Sequence, residues 1–267
     1  MFARFEKNNM NRLEGKNILI TGASRGLGRQ LALDFAQEGV TGMCITSRRA
    51  NDLNEVKESI LKVSPDLRVA VVAADLAKPD DIERIIAAAL SEFGSKLDVL
   101  VNNASVIGPT PLPFLLDYPL EDFREVISIN LIAPFILIKK SLPAMIESGG
   151  SIINVTSDAG QNGYPGWGAY GISKFGIEGM SETWANELEE SDVRVNWVDP
   201  GNMNTKMHRD AEPDEDPSEW ADPKDVTDVF IYLASDESRG VTGKRFQAQE
   251  ENWGLDGKAD ETRSVAG

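Results

Sequence analysis

Short apolar runs alternate with longer stretches of helical periodicity from Asn17 to Ala248, and no other feature restricts the fold so strongly. The apolar runs read as strands at Asn17–Ile20, Gly42–Thr46, Arg68–Ala74, Leu97–Val101, Ser151–Thr156, Val193–Val198 and Arg245–Ala248. Leu27, Leu31, Phe35 and Ala36 recur at helical spacing, with Gly39 as the stop. Further helices are expected over Leu53–Val63, Asp80–Phe93, about 121–146 with Pro134 as a candidate kink, roughly 167–190, and Pro223–Ala234. Strands that are apolar throughout must be covered on both faces, which specifies a parallel sheet between helix layers. Right-handed crossovers then give an α/β fold: a Rossmann-type doubly wound parallel sheet of about seven strands, in a single domain. Ligands bind such sheets at the carboxyl ends of the strands. Residues 15–248 form this domain, 1–14 are expected to be a flexible leader, and 249–267 a polar, surface-lying tail.

The charge balance narrows the partners. The formal net charge is -16, so nucleic acid and anionic membrane surfaces are poor partners. Much of the excess lies between Glu187 and Asp222, where twelve acidic residues face only Arg194, Lys206 and Arg209; this run reads as a solvated face. A single cysteine, Cys44, lies inside an apolar strand and reads as a small core residue. With one Cys and one His (His208), thiolate metal sites, multi-histidine metal sites and internal disulfides are excluded. His208 reads as an incidental surface residue, with contact to the substrate as the alternative. No apolar run reaches the eighteen or so residues that span a membrane. The first residues, Met1 to Lys7, carry no apolar signal region, so the expected location is the cytoplasm.

Two constellations carry chemistry. Thr21-Gly22-Ala23-Ser24-Arg25-Gly26-Leu27-Gly28 follows the first strand and opens the first helix. Glycines let the backbone approach a pyrophosphate, and the helix N-terminus offers free N–H groups and a positive dipole end. The second is Ser157, Tyr170 and Lys174. Tyr and Lys at i and i+4 stack on one face of a helix. A nearby ammonium favours phenolate, so Tyr170 could exchange a proton closer to neutral pH than a free tyrosine. Ser157, thirteen residues before Tyr170 and just past a strand, could meet the same substrate oxygen.

Taken together, these residues resemble the short-chain dehydrogenase/reductase family over roughly residues 14–248. The resemblance rests on the T-G-x-x-x-G-x-G turn, Asn102-Asn103-Ala104 after the fourth strand, and Asn130 in the long helix. It rests equally on the order of Ser157, Tyr170 and Lys174, on Pro200-Gly201 with Thr205, and on Leu233 to Asp236 and Val241 to Gly243. Ser105 departs from the family, which usually has Gly there. So does Lys244 to Gln249, where the family usually ends its last strand in D-G-G.

The resemblance implies hydride transfer between a nicotinamide and a carbonyl or alcohol carbon, without a metal. Tyr170 is then the acid/base and Ser157 the group that polarises the substrate oxygen. Lys174 lowers the Tyr170 pKa and binds the nicotinamide ribose, and Asn130 supports a water chain to Lys174. Gly22, Ser24, Arg25, Gly26, Leu27 and Gly28 would hold the cofactor, with Asp75 and Leu76 at the adenine and Asn102 and Ala104 at the adenosine ribose. Pro200 and Gly201 would also contact it, with Thr205 at the carboxamide.

The second strand ends in Ser47-Arg48-Arg49 and lacks the acid that would bind a ribose 2′-hydroxyl and repel a 2′-phosphate. Arg48, with Arg25 opposite, can fork onto that phosphate, which favours NADP(H), with NAD possible. Val106 to Pro109, Tyr164 to Trp167 and Met203 to His208 are expected to line a partly apolar substrate pocket, with Trp167 as roof or core residue. Family oligomers pack the two long helices against symmetry mates, which implies a homodimer or homotetramer. Two alternatives are a dinucleotide-binding sensor or scaffold without turnover and a carbon–carbon double-bond reductase. The intact acid/base set weighs against the first and the i, i+4 spacing against the second.

Overall fold

A computed structural model describes residues 11–254 of the 267-residue chain. Its first strand is β1 (Asn17–Thr21), every residue of which is buried. The remaining strands are β2 (Gly42–Ser47), β3 (Arg68–Ala73), β4 (Val99–Asn102), β5 (Gly150–Val155), β6 (Val193–Asp199) and β7 (Arg245–Gln247). They form one sheet in the order β3-β2-β1-β4-β5-β6-β7, each pair parallel. The expected seven-stranded, doubly wound architecture is therefore present.

Side chains alternate between the two faces because the strand period is two. Ile18, Ile20, Met43, Ile45, Val99 and Val101 share one core with α1 (Gly26–Gln37), α2 (Ala50–Val63) and α8 (Asp228–Ala234). Leu19, Cys44, Leu100 and Ile152 belong to the other, with α3 (Pro79–Phe93), α5 (Ala133–Met145) and α6 (Gly168–Glu187). Leu31 and Phe35 of α1 are fully buried, each worth about 1.5–3 kcal/mol of transfer free energy. Cys44 is a core residue as expected, and burial pushes its thiol up to about 12.

The long helix is built in three parts. Between α4 (Leu120–Ile127) and α5 lies a π-helical turn, Ser128–Ile132. Pro134 has no N–H to give the carbonyl of Asn130, four residues back, and the π turn falls over that position. The kink signal at Pro134 thus resolves as an extra residue in the turn. The continuous stretch Leu120–Met145 is, by length and composition, apolar enough to cross a membrane, contrary to expectation. Half of its most apolar window is buried inside the fold, and Ala133, Leu137, Ile138, Leu142 and Met145 pack into the core shared with α3.

Other elements differ in detail. Pro223–Asp225 is a separate 3-10 turn capped by the Asp222 carboxylate, so α8 starts only at Asp228. A short helix, α7 (Lys206–Ala211), lies where no helix was expected. Residues 11–14 of the expected leader are part of the fold: Leu13 is fully buried, and Arg12 pairs with Glu237 at 2.8 Å. Residues 249–254 of the expected tail also pack, with Trp253 5.1 Å from the ring of Tyr232. The rest of both segments lies outside the described residues.

Candidate active site

The strand order reverses beside β1, and there the carboxyl ends of the strands open into one cavity of about 880 Å³. Gly22, Ser24, Arg25, Gly26, Leu27, Gly28, Ser47, Arg48, Asp75, Leu76, Ala104, Ser157, Tyr170, Lys174, Pro200, Gly201 and Thr205 all line it. Asn102 and Asn130 do not.

One half of the cavity suits a dinucleotide phosphate. Gly22 has φ +69°, and a Cβ there would sit 2.8 Å from the Ala104 Cα. A Cβ on Gly28 would sit 2.4 Å from both the Gly22 carbonyl oxygen and Asn103 Nδ2. The turn can therefore lie flat against β4 and α1 only with glycine at both places. The N-cap of α1 is Arg25, whose side chain makes no cap bond, so the first N–H groups of the helix stay open toward the cavity. At the end of β2 the Ser47 hydroxyl is buried and has no partner among the described residues. Arg25 and Arg48 are exposed. A glycine cradle, an uncapped helix N-terminus, an orphaned hydroxyl and two exposed guanidiniums fit a dinucleotide carrying an extra phosphate.

Asn102 corrects the sequence reading. It is buried, and its amide donates to Asn154 Oδ1 at 2.8 Å. Its neighbour Asn103 faces the cavity and donates to the carbonyl oxygens of Thr21 at 2.9 Å and Gly22 at 3.2 Å, clamping the glycine turn. Asn102 is the last residue of β4 and shares the helix-covered face of Leu100, whereas Asn103 lies just past the strand's end, where the cavity opens. Ser105, the departure from Gly, also lines the cavity, with its hydroxyl buried and unpartnered among the described residues.

The other half handles protons. Ser157 caps the 3-10 turn Asp158–Gly160; its Oγ accepts from Ala159 N at 3.2 Å and donates to Asp158 Oδ1 at 2.8 Å. Tyr170 lies on α6 with its ring 5.4 Å from that of Trp167, which closes the pocket above it. Lys174, one turn on, is 3% exposed and donates to the Val155 carbonyl oxygen at 2.9 Å. Its Nζ lies 5.3 Å from the Tyr170 ring centre.

Burial pushes the Tyr170 phenol up, a hydrogen bond with Ser157 pulls it down, and Asp199 and Asp158 add to the rise. Burial lowers Lys174 to about 8, opposed by Asp199 and Glu178. Burial is the largest cause of the Tyr170 rise, and Lys174 is not among its causes, so the expected lowering does not appear here. Burial thus favours the neutral form of both groups, the protonated phenol of Tyr170 and the uncharged amine of Lys174.

The side chain of Asn130 is held by three hydrogen bonds. Its Nδ2 donates to the Val106 carbonyl oxygen at 2.8 Å and to Ser173 Oγ at 3.0 Å, while its Oδ1 accepts from Val106 N at 2.9 Å. The side chain braces the Val106 loop against α6. Thr205 lines the cavity, but its hydroxyl caps α7 by accepting from His208 N at 3.3 Å.

His208 is half-buried rather than a surface residue, packs edge-on against Trp220 at 4.3 Å and lines the pocket. Burial lowers its pKa, opposed by Glu215 and Asp158. The acidic run is only partly a solvated face, since Asp199, Glu212 and Glu215 line the cavity. The N-N-A motif pointed to Asn103 as readily as to Asn102, but Asp158, Asp199 and Arg245 come together only through the tertiary fold.

A family model described as short chain dehydrogenase matches residues 16–216. The 3-oxoacyl-(acyl-carrier-protein) reductase of Thermotoga maritima is 37% identical over 245 residues, covering 87% of this chain and 96% of that protein. The structure of a short chain dehydrogenase candidate from Pseudomonas syringae superposes with a TM-score of 0.85 at 36% identity, covering 90% of this chain and 96% of that one. A further candidate from Shigella flexneri 2a, complexed with NADP, gives a TM-score of 0.84 at 30% identity, covering 90% of this chain and all of the other.

Proposed function

The chain belongs to the short-chain dehydrogenase family, and on that premise we propose that it is an NADP(H)-dependent oxidoreductase acting on a carbonyl or secondary alcohol, with Tyr170 as general acid/base. One observation carries this: Ser157, Tyr170 and Lys174 line the same cavity as the uncapped glycine turn. The NADP complex of the Shigella flexneri relative supports the cofactor, and the 3-oxoacyl group named for the Thermotoga maritima relative supports a carbonyl substrate. Bound NADP(H) would supply or accept the hydride. Gly22, Gly26 and Gly28 with the N–H groups of α1 would hold its pyrophosphate, and Ser47, Arg25 and Arg48 its 2′-phosphate.

This chain's own residues supply the rest. Tyr170, kept protonated by burial, donates its proton to the carbonyl oxygen in reduction and receives one in oxidation. Ser157 has one proton, now given to Asp158, so binding a substrate oxygen requires it to turn that hydroxyl away from Asp158. Lys174 keeps two N–H donors beyond its bond to Val155, which suit the cofactor ribose. Trp167, Ile107 and Met207 form the apolar side of the substrate pocket and shed water from the reacting carbon. A carbonyl and alcohol panel with NADPH tests the activity; cofactor binding without turnover of any member would support the sensor instead.

Cofactor choice has its own test. Arg48→Ala is expected to weaken NADPH binding about tenfold to hundredfold, the worth of charge-assisted hydrogen bonds to phosphate, while NADH binding hardly moves. An unchanged NADPH-to-NADH affinity ratio would remove Arg48 from the phosphate site.

We place the protein in the cytoplasm as a homodimer or homotetramer. Ile132, Phe135, Ile172 and Phe175 support the assembly: they leave large apolar side chains exposed on the long helices. A light-scattering mass equal to one chain would exclude it.

A further inference from the structure

Arg245, on β7, reaches across the carboxyl end of the sheet to three other elements. Its Nε donates to Glu178 Oε1 at 3.0 Å, and its NH2 group donates to Asp199 Oδ2 at 2.9 Å and to the Ser157 carbonyl oxygen at 3.2 Å. All three side chains are nearly buried, with 12% of Arg245, 13% of Glu178 and 7% of Asp199 exposed. The carboxylates have further fixed partners. Thr156 Oγ1 donates to Glu178 Oε1 at 2.8 Å, and Gly201 N donates to Asp199 Oδ1 at 2.9 Å.

Each element tied by this guanidinium carries part of the site. Glu178 lies one turn beyond Lys174 on α6, Ser157 follows β5, and Asp199 directly precedes the Pro200-Gly201 turn. A planar fork with fixed donors can hold three such acceptors, whereas a lysine at the same place offers a point charge.

We propose that Arg245 is a positioning residue for the proposed reaction, holding Ser157, α6 and the Pro200-Gly201 turn in one register while offsetting the charge of Glu178 and Asp199. The inference rests on the oxidoreductase reading for its effect on turnover, but its electrostatic part can be read without substrate or cofactor. The charged groups facing the Tyr170–Lys174 pair are Asp158 from the 3-10 turn, Glu178 from α6, Asp199 from β6 and, through the two carboxylates it binds, Arg245 from β7. Without the guanidinium, Glu178 and Asp199 act on Lys174 unopposed and favour its charged form.

The test is the titration of Lys174 followed by the 13Cε resonance of labelled lysine in the full chain, assigned with Lys174→Arg. Arg245→Met is expected to raise the Lys174 midpoint by about one pH unit, since an opposite charge nearby favours the ammonium. The conservative Arg245→Lys should return the midpoint most of the way. In the same variants, kcat for a carbonyl that the parent reduces should fall about tenfold or more with Met and recover in part with Lys.

Should Arg245→Met not fold, Glu178→Gln keeps the guanidinium and its bond to Asp199, and there the midpoint should fall. A parent midpoint retained in Arg245→Met, or a midpoint in Glu178→Gln that stays or rises, would overturn the proposal. A parent that reduces no carbonyl would instead overturn the proposed function and leave the titration to judge Arg245.

Discussion

Tyr170→Phe is expected to lower turnover by about 10²- to 10⁴-fold, the usual contribution of a positioned acid or base, while NADPH binding survives. The substitution removes one hydroxyl and little else. The ring is buried, packs 5.4 Å from Trp167 and lies 5.3 Å from the Lys174 ammonium, and phenylalanine keeps both contacts. Burial also explains why no neighbour should substitute. Asp158 is bonded to Ser157, Ala159 and Tyr164, and Ser157 gives its single proton to Asp158. Steady-state kcat and a fluorescence titration with NADPH separate the two effects. Activity within a few-fold of the parent would remove Tyr170 from the chemistry.

Gly28→Ala is expected to destabilise the fold by about 1–3 kcal/mol, the usual cost of forcing extra atoms into a filled site, and to weaken NADPH binding in step. The added Cβ would lie 2.4 Å from the Gly22 carbonyl oxygen and equally close to Asn103 Nδ2, two groups already bonded to each other. The Gly22 oxygen is backbone of the phosphate-binding turn itself, so relief of the clash must move the turn. Gly179→Ala on α6 is the control: its Cβ meets nothing within 4 Å, and its helical backbone suits alanine. That variant should be neutral or gain a few tenths to about 1 kcal/mol. Urea denaturation of both variants checks the contrast, and equal stabilities would sink the close-packing account of Gly28.

The fold was legible because periodicity is local: β1, β2 and α3 differ from their sequence bounds by a residue or so, since apolar runs and helical spacing are read from neighbours. Where side chains took the place of periodicity, it misled. The Thr205 cap created α7, and the Asp222 cap closed a separate turn at Pro223. The site divided in the same way. Tyr170 and Lys174 declared themselves by helical spacing, and the glycine turn by its position between strand and helix.

Asn102 was misplaced because a motif names residue types while the point at which β4 ends decides which of two asparagines faces the cavity. The direction of the Tyr170 shift was beyond the sequence for a different reason. The i, i+4 spacing supplies the ammonium, but depth of burial, the largest cause of the shift, belongs to the assembled fold. Arg245, 67 residues from Glu178 and 46 from Asp199, meets them only because β7 lies beside β6.

The most direct measurement is transfer of deuterium from NADPH labelled at nicotinamide C4 to a panel of aldehydes and ketones. The label should appear on the carbinol carbon of at least one product, with the parent chain and about 10²- to 10⁴-fold more slowly with Tyr170→Phe. Tight NADPH binding with no label in any product would contradict an oxidoreductase and leave a dinucleotide-binding protein without turnover.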